Sequence, residues 1–117
     1  MSSIKRFHLT KRLSDVAVYN GVAYLAGQVP HDTTLDITGQ TQQVLATIDR
    51  LLAEVGSDKH HILMAQIFLA NMKEFEGMNK AWDAWVAADN TPPRATVEAR
   101  LANPDFKVEI VVTAALS

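Results

Sequence analysis

The chain has 117 residues, 48% hydrophobic and 21% charged, a length that suits one domain (1–117) and lets about two-thirds of the surface be buried. It contains no cysteine, which excludes disulfides, a thiolate nucleophile and sulfur-ligated metal sites. Eleven basic against thirteen acidic residues give a formal charge of −2 with no basic cluster, which argues against charge-driven binding to nucleic acid or anionic lipid. No apolar run approaches the ~20 residues of a membrane span, and the start Met1-Ser2-Ser3-Ile4-Lys5-Arg6 has no apolar signal-peptide region, so the expectation is a cytoplasmic protein without a membrane partner.

Strands are predicted over Lys5–Leu9, Val16–Tyr19 and Val22–Gln28, and Asn20-Gly21 between the second and third is a strong hairpin signal. A helix follows over Thr38–Val55, because Val44, Leu45, Ile48, Leu51, Leu52 and Val55 recur at helical spacing and Gly56 supplies a C-terminal cap. His61–Ala70 reads as a strand that is apolar on both faces: Ile62, Met64, Phe68 and Ala70 point one way, Leu63, Ala65, Ile67 and Leu69 the other. Asn71, with Glu74 three residues on, marks the start of a second helix whose stripe is Phe75, Met78, Trp82, Trp85 and Val86 and which Asn90-Thr91-Pro92-Pro93 stops. Arg94–Leu101 and Lys107–Leu116 complete six strands, and their short connection suggests that these two pair. The order predicts an α+β fold with a six-stranded mixed sheet and both helices on one face. Two helices hide one face only, so the sheet either curls or packs on another subunit, and at this length oligomerisation is favoured.

The last two strands carry the candidate chemistry. Alternation puts Arg94, Thr96, Glu98 and Arg100 on one face of their strand, and Lys107, Glu109, Val111 and Thr113 on one face of theirs. A guanidinium is a planar fork that grips a carboxylate bidentately, and a half-buried glutamate can act as an acid/base or hold a water. Spacing alone favours the plainer reading, cross-strand ion pairs among Arg94, Glu98, Arg100, Lys107 and Glu109 on a solvated face. His8, His31, His60 and His61 lack metal-ligand spacing and read as solvated or packed, and Trp82 and Trp85 read as core or subunit packing, so no metal is expected. No glycine-rich phosphate loop is present, so no nucleotide cofactor is expected.

Several blocks then resemble one family. Val22-Ala23-Tyr24-Leu25-Ala26-Gly27-Gln28-Val29-Pro30, Thr38-Gly39-Gln40-Thr41-Gln42-Gln43-Val44-Leu45, Phe75-Glu76-Gly77-Met78-Asn79 with Trp82, and above all Pro92-Pro93-Arg94-Ala95-Thr96-Val97-Glu98-Ala99 and Lys107-Val108-Glu109-Ile110, are similar in order to the RidA/YjgF family. The resemblance implies a chorismate-mutase-like fold, assembled as a homotrimer with clefts between subunits. It also implies hydrolysis of reactive enamines and imines, such as 2-aminoacrylate and other 2-imino acids, to 2-oxo acids and ammonia without a cofactor. The family's essential arginine falls on Arg94 and its water-associated glutamate on Glu109. Backbone amides near Gly27 and Thr96 are implied to help hold the substrate carboxylate.

Two other functions stand beside this one. A non-catalytic binder of 2-oxo acids needs Arg94 but not Glu109, and a ribonuclease or translation-inhibitor role, a label some members carry, is disfavoured by the acidic balance. The chain also departs from the family: a tyrosine common before the second strand is replaced by Leu13, a serine before Gly-Gln by Ala26, and a cysteine two residues after the arginine by Thr96. A less polar cleft should admit larger or apolar imino acids. Leu13→Tyr is therefore expected to shift preference towards small imino acids in a competition assay, and an unchanged substrate profile would count against this reading.

Overall fold

A computed structural model describes residues 3–117. Six strands, β1 (Lys5–Phe7), β2 (Val16–Tyr19), β3 (Val22–Leu25), β4 (Ile62–Leu69), β5 (Arg94–Glu98) and β6 (Val108–Ala115), form one sheet in the order β1-β2-β3-β6-β4-β5. Two helices, α1 (Ile37–Glu54) and α2 (Phe75–Trp85), pack on one face of it. The sheet is mixed, since β4 and β5 run parallel and every other pair is antiparallel.

Local chemistry explains the elements. Asn20 and Gly21 both take positive φ, 52° and 77°, the left-handed pair that a two-residue hairpin needs to match strand twist. The Asp36 carboxylate accepts the Gly39 N–H at 2.8 Å and starts α1, which ends against Gly56 as expected. Asn71 caps a single 3₁₀ turn (Met72–Glu74) rather than the second helix itself, so α2 begins at Phe75, later than the capping signal suggests.

The core lies between the helices and one side of the sheet. Val44, Leu45, Ile48, Leu51 and Leu52 of α1 meet Ala65, Ile67 and Leu69 of β4 and Val108, Ile110 and Val112 of β6, all essentially fully buried. The thin dimension is 20 Å, the depth of one sheet and one layer of helices. The opposite face is left open, with Tyr24, Met64 and Val97 at 49%, 40% and 40% exposure.

Three expectations for the sheet change. β5 does not pair with β6: β4 lies between them, because β4 bonds β5 on one edge and β6 on the other. A register shift between Ile62 and Met64 also breaks the alternation of β4, so Ile62 joins the buried set of Ala65, Ile67 and Leu69 while Leu63 turns outward. β1, β3 and β5 are each shorter than their apolar patterns, β5 ending at Glu98 rather than Leu101.

One buried polar side chain ties the helix layer to the approach of β6. Gln40, fully buried at the start of α1, donates from Nε2 to the carbonyls of Thr33, Leu35 and Asp105 and accepts the Lys107 N–H on Oε1 at 2.8 Å. Gln40→Leu strands these backbone groups and is expected to cost about 2–4 kcal/mol of stability in chemical denaturation. A loss below about 0.5 kcal/mol would show that the clamp is dispensable.

Candidate functional site

Arg94 opens β5 directly after Pro92-Pro93, and its register partner Ala65 is fully buried under the helices, so the arginine leaves the sheet on the helix side. There α2 receives it. Arg94 Nη1 donates to Asn79 Oδ1 at 2.8 Å, and the guanidinium carbon lies 5.2 Å from the Trp82 ring centroid and 5.8 Å from that of Phe75. Both distances lie within cation–π range. Phe75, Asn79 and Trp82 are spaced i, i+4, i+7 and so form one stripe of α2. A hydrogen bond from Thr38 Oγ1 to the Gly77 carbonyl, 2.8 Å, holds that helix against α1.

Thr96 follows two residues on and shares the helix-side face, in register with buried Ile67. Its Oγ1 is buried without a hydrogen-bond partner, a costly state for a hydroxyl. Glu98 accepts the Met72 N–H at 2.8 Å. Among the described residues, neither Arg94 nor Glu98, Arg100, Lys107 or Glu109 forms an ion pair, so the cross-strand ion pairs that spacing allowed are not made.

Glu109 leaves the sheet on the other side. Its partner in β4 is Phe68, while its neighbours Val108 and Ile110 turn into the core. The half-buried carboxylate lies against Gly27: a Cβ built there would collide with Glu109 Oε2. A slip in pairing creates this approach. Tyr24 pairs with Thr113, yet Gln28 bridges Ile110 through two backbone hydrogen bonds of 2.9 and 3.1 Å, where an unbroken register would have it meet Glu109. The Gly27 backbone is thereby left free of ladder bonds to β6, while on the other edge of β3 the β2 register runs one pair further, the Ala26 N–H donating to the Asp15 carbonyl at 2.8 Å.

That last bond brings the turn before β2 beside the glycine. Thr10 closes the turn, its Oγ1 accepting the N–H groups of Arg12 and Leu13, and Leu13 is 54% exposed. The structure thus gathers Gly27 and Glu109 on the open side and Arg94 and Thr96 on the helix side, with β4 between their strands. It does not bring Arg94 and Glu109 together within one chain. Three clefts of the single chain, including one of about 380 Å³ lined by Ala70, Arg100, Asn103 and Phe106, lie elsewhere.

The histidines are engaged away from both groups. His8 bonds Glu54, and His60 and His61 gather on Asp58, whose carboxyl is held below the ordinary range chiefly by the His61 hydrogen bond. Among the described residues no group of three or more His, Asp or Glu side chains is placed to hold a metal ion, and no helix is long and apolar enough to cross a membrane.

The profile of the family described as Endoribonuclease L-PSP matches residues 3–116. The chain belongs to this family, the RidA/YjgF family of the resemblance. A RutC family protein of Haemophilus ducreyi is 59% identical over 97% of both chains, and the RutC family protein YoaB of Escherichia coli is 47% identical over 97% of this chain and 99% of its own. A YjgF-family crystal structure from Neisseria meningitidis superposes with a TM-score of 0.96 at 50% identity, covering 98% of this chain and 96% of its own.

Asn79 and Phe75 are the site residues that sequence reasoning passed over, along with the role of Trp82. The available signal was a polar residue inside an otherwise apolar stripe at i+4 from Phe75. Gly27→Ala tests the Gly27–Glu109 approach: its methyl group meets the mobile end of a side chain, so the fold should survive with a loss of about 1 kcal/mol or less. The carboxylate should be displaced, visible as a changed Glu109 rotamer in a crystal structure; an unmoved Glu109 would refute the approach described.

Proposed function

We propose that the protein hydrolyses 2-imino acids and their enamine tautomers to 2-oxo acids and ammonia. The observation that carries this reading is Arg94: a half-buried cation oriented by an amide oxygen and two aromatic faces, with no carboxylate paired to it among the described residues. Such a group is charged, aimed and unneutralised, which suits a ligand carboxylate held through two parallel hydrogen bonds. Membership of the family is consistent with this reading, while the family description names an endoribonuclease and the names of the relatives specify no reaction.

In this mechanism Arg94 fixes the carboxylate and so places the neighbouring C=N carbon. Glu109 takes a proton from water as the oxygen bonds to that carbon, giving a tetrahedral carbinolamine. Glu109 returns that proton to the nitrogen and then relays the hydroxyl proton to it as well, so the C–N bond breaks and ammonia leaves as the C=O forms. One water is consumed, and no oxidant or reductant is needed. An acid/base group of this kind contributes about 10²–10⁴-fold, enough for imines that already hydrolyse in water.

Arg94 and Glu109 leave opposite sides of the sheet, so the complete site in this proposal lies between copies of the chain. The open face supplies an apolar surface for that assembly, with Tyr24, Met64, Phe68, Val97 and Val111 on it. A homotrimer with three such clefts is the assembly we propose. Sedimentation should give a stable oligomer, and a monomer at assay concentration would overturn the shared site.

The deciding experiment couples an amino acid oxidase, which generates 2-imino acids, to 2-oxo acid appearance. Native protein should accelerate the reaction, Arg94→Ala should abolish the acceleration, and Glu109→Gln should lose at least 10²-fold in turnover while still binding a 2-oxo acid. No acceleration with any imine, alongside Arg94-dependent binding of a 2-oxo acid, would instead establish a binder.

A further inference from the structure

The surroundings of Arg94 are uniform in one respect. Asn79 Oδ1, the Phe75 ring and the Trp82 ring are all neutral, and together they hold the guanidinium without cancelling its charge. Asn79 is the directional member: only its amide oxygen can accept from Nη1, and a planar guanidinium tethered at one nitrogen has its orientation fixed. The tether uses one of five N–H donors and leaves the others for a ligand.

We propose that Asn79 is the positioning residue for Arg94, and that its being an amide rather than a carboxylate keeps the guanidinium available to an anionic ligand. An aspartate has the same size and would accept the same hydrogen bond, but it would add a negative charge 2.8 Å from Nη1, where a carboxylate forms a bidentate ion pair with arginine. The pair would occupy the fork that a ligand carboxylate needs. This inference rests on the reading of Arg94 as the carboxylate anchor, and it assigns a role to the α2 stripe beyond packing.

The test uses Asn79→Asp and Asn79→Ala in the full chain, with pyruvate and 2-oxobutanoate as binding probes in calorimetry and phenylglyoxal as an arginine-directed label of Arg94 followed by peptide mapping. Asn79→Asp should raise the Kd at least tenfold, slow Arg94 labelling several-fold and leave Tm unchanged or higher, because a purely structural role would lower Tm instead. Asn79→Ala, which frees the guanidinium without neutralising it, should raise the Kd less and leave labelling as fast as native or faster. Native-like Kd and labelling rate in Asn79→Asp would overturn the proposal, as would a larger loss of binding in the alanine variant than in the aspartate variant. If native protein binds neither probe yet Asn79→Asp still slows labelling, the tether stands and the imine reading of the site fails.

Discussion

Two helices cover one side of a six-stranded sheet, and that inequality organises everything else in the molecule. Because a strand sends successive side chains to opposite faces, each residue of β4, β5 and β6 is committed either to the helix layer or to the open side. The buried set, Ala65, Ile67, Leu69, Val108, Ile110 and Val112, sets that phase through the apolar area it removes from water. Once the phase is set, Arg94 and Thr96 must go with the helices and Glu109 must face away. A one-residue change of phase in β6 would exchange Glu109 for buried Ile110, which the core cannot accept.

The two polar groups are then refined by different local devices. Arg94 relies on a helix, whose i, i+4, i+7 stripe presents two rings and an amide to the guanidinium. Glu109 relies on an irregularity, the slip between Tyr24 and Gln28 that brings a side-chain-free backbone against its carboxylate. Departures from regular pairing are where strands re-aim neighbouring groups. On the other edge of β3 the β2 ladder continues to Asp15, which accepts the Ala26 N–H, so the turn carrying Leu13 is held at the same place.

Much of this was legible in the residues. Asn20-Gly21 predicts its hairpin, because few residue pairs tolerate two successive positive φ values. The helical spacing of Val44 to Leu52 predicts α1, and alternation through β6 correctly separates Glu109 from Ile110. Less legible were the ends of elements and the slips within them. Ile62 and Leu63 are both apolar, so no pattern marks the bulge that sends one in and the other out. Asn71 carries a good capping signal, but a side chain that caps a 3₁₀ turn looks the same in sequence as one that caps a helix.

Residue patterns alone set the element types, the two-sided apolar demand of β4 and, through the motif blocks, the family, and they singled out Arg94 and Glu109 as candidates. These are local quantities: propensity, period and residue identity act over a few positions, and the chain carries them in any conformation. It takes the folded chain to place β6 between β3 and β4, to rest Arg94 on Asn79 and to bring Gly27 against Glu109. Each joins residues distant along the chain, and strand order is chosen by which arrangement buries the whole apolar set at once. No short window of sequence contains that sum.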